Sequence, residues 1–305
     1  MFMRKTIICV FFTVLLILPF PVFAQLDLQM DNYWENPYYI TPASMNVQYQ
    51  AVFSMAARKQ WFNVPGSPTT YYGSATMYSQ KYKTQEGIRI IRDEVGFTQA
   101  TTLSLSYSYH LRMNDTWFLN MGIAGSYQHL GYDLSKINLE ETDDPSLYES
   151  LVSRENLNAD LGFEFYNADF KMGFAGRNLL SLFLTSGYKP INANYLYAIY
   201  RFRSASQIDL GTGACLTNYD KRFQGEANVT AYFKNAKDQD LFSLGAFYRS
   251  QKDVGLIFGL NLGRNLYVSY SYDYIFGKVL NNMTSSHELM LIWKLKEKDC
   301  KCNDY

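Results

Sequence analysis

The sequence predicts an all-β protein, a transmembrane antiparallel up-and-down β-barrel of the bacterial outer membrane with about 14 strands. Apolar and polar residues alternate along most of the chain, and the alternating segments are long. Long and short connectors follow each other alternately between these segments. Hydrophobic residues form 48% of the 305 residues, and beyond the N-terminal segment they are dispersed. A bundle of spanning helices, each of about 20 consecutive apolar residues, is therefore excluded.

Charge and composition exclude two further classes. The chain has 28 Lys+Arg and 28 Asp+Glu and lacks a basic block of the kind that binds nucleic acid. It has 26 Tyr and 21 Phe, whereas disordered chains are poor in aromatic residues. We therefore expect a folded protein with no nucleic-acid partner.

The N-terminus has the pattern of an export signal. Arg4 and Lys5 precede an apolar stretch, and Val22-Phe23-Ala24 provides a cleavage site before Gln25. Residues 1–24 are thus predicted to be a cleaved signal peptide, the alternative being a retained membrane anchor. Residues 25–46 are rich in aromatics and not strand-like, and we expect them in the periplasm or inside the barrel lumen.

The barrel is predicted over residues 47–295 because the apolar period there is two. In the segment 98–111, apolar side chains occupy the odd positions from Leu103 to Leu111 and Ser or His the even ones. The predicted strands are 47–57, 70–81, 87–92, 98–111, 117–129, 156–166, 170–177, 194–202, 208–215, 223–233, 241–249, 254–262, 266–274 and 286–295. Several have the roughly 9–11 residues that a tilted strand needs to cross a bilayer.

Connector lengths support a membrane barrel. If the first strand runs outward, the external connectors total roughly eighty residues and the opposite set roughly thirty, as in outer-membrane barrels with short periplasmic turns. The same topology places the polar tail, residues 296–305, in the periplasm.

The lumen should be polar, and its candidate lining residues follow from the alternation. Gly255, Gly259 and Gly263 share one strand face and are expected to keep the lumen side small. The polar side chains expected there are His110, Asp160, Glu164, Asn261, Asp273 and Glu288.

The sequence gives little support for an enzymatic activity, a metal site or a cofactor site. The chain has only 3 His, and in the one dense cluster, Ser285-Ser286-His287-Glu288, a strand would turn Ser286 and His287 to opposite faces. Cys300-Lys301-Cys302 lacks a second ligand pair, and Cys215 is the remaining cysteine of the mature chain. We therefore predict a protein that is not an enzyme and that uses no cofactor or metal; an outer-membrane hydrolase acting through His287 is the alternative.

The longest connector is acidic and forms a candidate docking loop for a partner. Pro145 breaks any strand there, and no EF-hand spacing is present. Its candidate docking residues are Glu140, Glu141, Asp143 and Asp144.

Several segments resemble the PorP/SprF family of the Bacteroidetes type IX secretion system. Residues Tyr39 to Ser44 resemble its Asn-Pro-Ala box, with Thr41 where Asn is usual. The stretch Arg58-Lys59-Gln60-Trp61 is similar to its Arg-x-Gln-Trp motif, and Pro65 to Thr70 follows as its Pro-x-Thr stretch. Asp93 to Gly96 matches its Asp-x-x-Gly loop. The last two strands, Ser269 to Tyr274 and Ser286 to Glu288, are also similar.

This resemblance implies an outer-membrane barrel that works without a cofactor in protein secretion, gliding and surface attachment. Its partners would be the periplasmic PorK/PorN ring and PorL/PorM motor, or a secreted cargo bound by its C-terminal sorting domain. The matched motifs add Arg58, Gln60, Trp61, Asp93 and Gly96 as candidate docking residues. The alternative function is a general outer-membrane channel or porin for small solutes.

Overall fold

In a computed structural model the chain forms one closed antiparallel barrel whose strands follow each other in chain order. The structure describes residues 30–133, 135, 152–184, 188–219, 222–251, 253–276 and 285–296. The strands are β1 (Ala51–Lys59), β2 (Thr69–Ser79), β3 (Thr84–Val95), β4 (Thr98–Arg112), β5 (Phe118–Tyr132), β6 (Arg154–Tyr166), β7 (Phe170–Arg177), β8 (Ala193–Phe202), β9 (Ile208–Tyr219), β10 (Arg222–Lys234), β11 (Asp240–Arg249), β12 (Asp253–Leu262), β13 (Leu266–Ile275) and β14 (Ser285–Leu295). The barrel closes where β1 pairs with β14, from Ala51 opposite Leu295 to Lys59 opposite His287. The predicted fold class and strand number are confirmed.

The alternation along the strands separates a lipid face from a lumen face. Outward side chains such as Leu105, Leu157 and Leu256 are 63%, 72% and 64% exposed, whereas inward Asn120 and Glu164 are fully buried. A soluble protein does not expose so much large apolar surface, but a barrel in a bilayer does. Aromatic side chains collect near the end of the barrel that has the short turns, which we call the turn end. There Trp117 stacks on Phe165, and Phe233 stacks on Phe242. Such girdles are typical of outer-membrane barrels.

The two ends of the barrel differ in their connectors. At the turn end these are the ranges 80–83, 113–117, 167–169, 203–207, 235–239 and 263–265. At the loop end they are 60–68, 96–97, 133–153, 178–192, 220–221, 250–252 and 276–284. Because short turns are periplasmic in outer-membrane barrels, we expect the loop end to face the outside of the cell.

Strand boundaries depart from the sequence pattern where pairing overrides it. β1 begins at Ala51 rather than near 47, because the Tyr49 amide donates to the Asn46 carbonyl in a turn. β3 extends to Thr84–Val95, beyond the predicted 87–92, because β2 and β4 pair along its polar ends as well.

Of the three regularly spaced glycines, the two that lie in β12 face the lumen, as expected, and the third does not. A Cβ at Gly255 would lie 2.2 Å from the Phe247 ring, and one at Gly259 would lie 2.4 Å from the Tyr267 hydroxyl. Gly263 instead occupies the next turn with φ +71°, a conformation that favours glycine. Among the described residues, none of the helices has the length and apolar character that would span a membrane.

Candidate functional site: a plugged lumen and its loop-end rim

The lumen is occupied by the chain's own N-terminal segment. We call residues 30–46 the plug. Its large side chains are buried, among them Tyr33, Trp34, Tyr38 and Tyr39, and a single turn of 3-10 helix at Pro37–Tyr39 compacts its middle. The hydrophobic core of the molecule therefore lies inside the barrel, between the plug and lumen-facing side chains such as Tyr197. In a barrel of about fourteen strands, the side chains of the wall do not fill the lumen by themselves. A folded segment therefore has room inside it.

Wall glycines provide the space into which the plug fits. Gly122 of β5 is paired with Gly162 of β6, and together they leave a slot for the turn at Pro42. A Cβ at Gly122 would come within 2.6 Å of the Ala43 nitrogen, and one at Gly162 within 2.0 Å of the Thr41 Oγ1. The segment from Thr41 to Ala43, which resembles the family's Asn-Pro-Ala box, therefore packs against the barrel wall.

Polar wall side chains bind the backbone of the plug. Ser108 donates to the Pro42 carbonyl at 2.6 Å. Arg89 donates to the Tyr39 carbonyl at 3.1 Å and to Asp160 at 2.7 Å. The two contacts give the buried guanidinium one acceptor on the plug and one on the wall, as burial of a charged donor requires.

The same carboxylate ties the plug to an external loop. The second oxygen of Asp160 accepts from the Asn178 amide at 3.0 Å, where the 178–192 connector begins. Near the turn end, Gln85 donates to the Ser44 carbonyl at 3.0 Å and accepts from the Asn46 amide at 3.1 Å. The plug is therefore held along its length rather than at one point.

A group of charged side chains holds the plug at the loop end. We call it the charged cluster; its members are Asp31, Arg58, Glu226, Arg249, Asp253, Asp273 and Glu288. Asp31, from the plug, is ion-paired with Arg58 and lies 2.9 Å from Arg249. Its second oxygen accepts from Ser271 at 2.6 Å, and its amide donates to Glu288 at 2.7 Å.

The two arginines of this cluster bridge separate strands. Arg249 contacts Glu226 at 2.6 Å and Asp253 at 2.9 Å, while Arg58 contacts Asp273 at 2.5 Å. Burial opposes ionisation of Asp31, but the two guanidiniums outweigh it and hold the pKa of Asp31 below its usual range. Asp31 is therefore charged when docked, and its charge fixes the plug to the wall.

The polar side chains predicted to line the lumen are inward-facing. Asp160, Glu164, Asp273 and Glu288 are buried, and Asn261 is partly exposed on the same face of β12. Glu164 accepts from Tyr197 at 2.6 Å and from Asn120 at 3.2 Å. Asn120 in turn contacts His110 at 2.9 Å, which extends a buried hydrogen-bonded chain toward the turn end.

The predicted docking residues divide between the lumen and the loop-end rim. Arg58 is 3% exposed and belongs to the charged cluster, so it is not accessible to an external partner in this conformation. Gln60 and Trp61 open the 60–68 connector, Trp61 with φ +48°. Asp93 accepts from Thr70 at 2.6 Å beneath that connector.

Gly96 completes this part of the rim. Its amide donates to the Gly66 carbonyl at 2.8 Å, which joins the 60–68 and 96–97 connectors. Gln60, Trp61, Asp93 and Gly96 thus lie on one side of the loop end. The acidic candidates Glu140, Glu141, Asp143 and Asp144, and Cys300 and Cys302, lie outside the described residues.

Asp31, Arg89 and Arg249 are functional residues that the sequence pattern did not predict. The strand period carried a signal for the two arginines, because each occupies a lumen-facing position. For Asp31 no periodic signal existed, because the plug has neither strand nor helical period. Its ion-pair partners Arg58 and Arg249 are distant in the sequence and meet Asp31 only in the folded barrel.

No catalytic arrangement forms at the one serine–histidine cluster. Ser286 is buried toward the lumen, whereas His287 faces outward and hydrogen-bonds Tyr270 at 2.6 Å. Within the described part of the chain, no group of His, Cys, Asp and Glu is suited to a metal ion, and the Cys215 thiol is buried 3.9 Å from the Thr217 hydroxyl.

Comparison with known proteins gives one family and a set of similar barrels. The family model described as "Type IX secretion system membrane protein PorP/SprF" matches residues 22–293. A search of curated proteins finds no match.

Among solved structures, the chain is similar to a TodX deltaS2S3 mutant, a monoaromatic hydrocarbon channel. Identity is 8%, the TM-score is 0.50, and the match covers 84% of this chain and 93% of that one. The outer membrane protein Omp33 of Acinetobacter baumannii matches with 8% identity and a TM-score of 0.49, over 82% of this chain and 100% of its own. The toluene transporter TbuX of Ralstonia pickettii matches with 9% identity and a TM-score of 0.47, over 84% and 92%. Identities this low bear on the fold alone.

Proposed function

Because the chain belongs to the PorP/SprF family of type IX secretion system membrane proteins, we propose that it serves that system as a non-enzymatic anchor and docking platform. The partners would be secretion-system subunits, namely the PorK/PorN ring and PorL/PorM motor, or the C-terminal sorting domain of a secreted cargo. The observation that carries the proposal is the filled lumen. A barrel whose interior is packed with its own N-terminal segment offers its ends, rather than a pore, as working surfaces.

The plug supports a docking role because it makes the barrel rigid. The contacts of Arg89, Ser108 and the charged cluster connect the plug to β1, β3, β4, β11 and β14. A preorganised surface binds a partner with a smaller loss of conformational entropy than a mobile one. Rigidity of this kind suits an anchor more than a solute channel.

The loop-end rim around Trp61 is the proposed docking surface for an external partner. Beside it, Phe62 is 55% exposed and packs its ring edge-to-face on His287 at 5.0 Å. The Gly96–Gly66 hydrogen bond supports this connector from the other side. Exposed aromatic residues on a supported loop are typical of interface anchor points. The acidic candidates Glu140, Glu141, Asp143 and Asp144 remain part of the proposal as a second docking loop.

The turn end is the proposed surface for periplasmic subunits. Arg201 bridges Asp240 at 2.6 Å and Asp209 at 3.0 Å, and Lys234 lies 2.7 Å from Asp209. This ion-pair network joins the ends of β8 and β10 to the starts of β9 and β11. It holds the short turns in fixed positions, which a partner in the periplasm requires.

We also propose that residues 1–24 are removed on export and that residues 296–305 form a polar tail in the periplasm. Determining the N-terminal sequence of the protein purified from the outer membrane tests the first statement. A mature chain that begins at Gln25 is expected, and one that retains Arg4 and Lys5 would refute cleavage.

The test of docking is affinity purification of a tagged copy from its own outer membrane in mild detergent, followed by mass spectrometry. Enrichment of ring or motor proteins would identify a core component, and one dominant secreted protein would identify a cargo anchor. Trp61→Ala should reduce recovery of an external partner, whereas Asn63→Ala, an exposed change in the same connector, should not. Recovery of neither partner class, with export intact in a deletion strain, would contradict the proposal.

The second candidate function is a channel for small solutes, which a closed barrel of this strand number allows. The plug counts against it, because it fills the space that solutes would cross. Planar-bilayer recordings separate the two functions. Steady, solute-selective conductance that does not change with pH would favour the channel, whereas a protein that stays silent while the plug is docked would favour the docking platform.

A further inference from the structure

The charged cluster has more carboxylates than cations. Among the described residues it combines five carboxylates with the two guanidiniums of Arg58 and Arg249. All seven side chains are nine-tenths or more shielded from solvent. Burying unpaired charge is so costly that an ionisable group usually becomes neutral instead.

The geometry shows that the two guanidiniums do not satisfy all the acidic oxygens. Arg249 is shared among four carboxylates at 2.6 to 3.5 Å. Within the described part of the chain, one oxygen each of Glu226, Asp253, Asp273 and Glu288 has no hydrogen-bond donor. A carboxyl group that carries a proton becomes a donor and can satisfy a neighbouring carboxylate oxygen.

We propose that the charged cluster is a proton-held latch, which retains protons while Asp31 is docked and releases the plug from the wall when it loses them. The cluster draws one side chain from the plug and the others from six strands. Asp31 faces Arg58 of β1, Arg249 of β11 and Glu288 of β14, with Glu226 of β10, Asp253 of β12 and Asp273 of β13 around them. Among the described residues, the titratable side chains that line the cavity beside Glu226 are those of Tyr33, Tyr39, Tyr195 and Cys215.

The balance of the step is simple. Each proton that the cluster loses passes to water. The loss adds one more negative charge beside Asp31, and repulsion between like charges then disfavours the docked state. When the plug moves away, Asp31 leaves the group and water hydrates the remaining carboxylates. Because the undocked state binds fewer protons, raising the pH shifts the equilibrium toward it.

The test is the pH dependence of conductance of the purified full-length protein in planar bilayers. From about pH 5 to about pH 9, the open fraction should rise by up to about tenfold per pH unit for each proton released. The double variant Glu226→Gln with Glu288→Gln mimics the neutral acids and should stay closed with a flat pH response. Asp169→Asn, an exposed change at the turn end, should keep the wild-type response.

Hydrogen exchange of the plug amides over the same pH range gives a second reading that does not depend on ion flow. Should the double variant not fold, Asp253→Asn alone should reduce the slope. A wild-type protein with a flat response, or variants with an unchanged slope, would overturn the latch. Opening by a chelator at low pH would also overturn it, since a bound cation would then be the balancing charge.

Discussion

The fit between plug and wall can be tested at one glycine. Gly122→Ala would place a methyl group 2.6 Å from the Ala43 nitrogen and from the Pro42 carbonyl carbon. Both are backbone atoms, so the methyl group cannot be accommodated by a side-chain rotation. The plug must retreat until these contacts reach the 3.4 Å at which ordinary contact begins.

The cost of that retreat follows from the contacts it breaks. The hydrogen bond from Ser108 to the Pro42 carbonyl is 2.6 Å long, and the shift would carry it past the usual limit of about 3.0 Å. Overpacking costs about 1–3 kcal/mol and a lost hydrogen bond about 1 kcal/mol. The two costs together come to about 2–4 kcal/mol. Even at the lower end, the ratio of docked to undocked plug should fall roughly 30-fold.

Hydrogen exchange of the plug amides measures this ratio. The Ile40 and Thr41 amides both donate to the Pro37 carbonyl, at 2.9 and 3.0 Å, and exchange only when the plug opens. Gly125→Ala is the matched control, because it lies on the same strand, faces outward and meets nothing within 4 Å. Equal exchange rates in the two variants would refute the docking geometry.

Three further variants probe the same architecture. Arg249→Met removes the guanidinium shared by four carboxylates and should destabilise the barrel by about 3–5 kcal/mol, measured by heat-dependent mobility of the folded form; unchanged mobility would contradict the ion-pair assignments. Leu256→Arg puts a charge on the lipid face and should cost about 2–4 kcal/mol near the bilayer centre, while Asn63→Arg in a loop should be neutral in the same folding assay. Tyr38→Phe loses the 2.6 Å contact with Ser106 and should speed exchange of the plug amides by roughly five- to tenfold; a rate equal to wild type would show that this bond does not hold the plug.

Much of the barrel could be predicted because the strand period is a local property. Leu157 and Asp160 fall on opposite faces by parity alone, and the structure places one in lipid and the other in the lumen. Boundaries were less predictable, as β3 shows. Its polar ends carry no apolar alternation, and only pairing with β2 and β4 keeps them in the sheet.

The candidate site could be predicted only in part. The parity of Asp273 and Glu288 placed both in the lumen, but no pattern related them to Asp31, which lies more than two hundred residues earlier in the chain. Arg58 illustrates the difference. Its resemblance to the first residue of a family motif predicted a docking residue, whereas the structure places it in an ion-pair network inside the barrel.

The sequence by itself determined the class of protein, its strands and which side chains face lipid, because alternation along a strand needs no distant partner. The tertiary structure decided what fills the lumen. Closing β1 against β14 brings β10 to β14 and the plug around one point, and only there do five carboxylates and two guanidiniums meet. The plug has no period of its own. Its position depends on a slot formed by Gly122 and Gly162 and on charges from six strands, all of which exist only in the closed barrel.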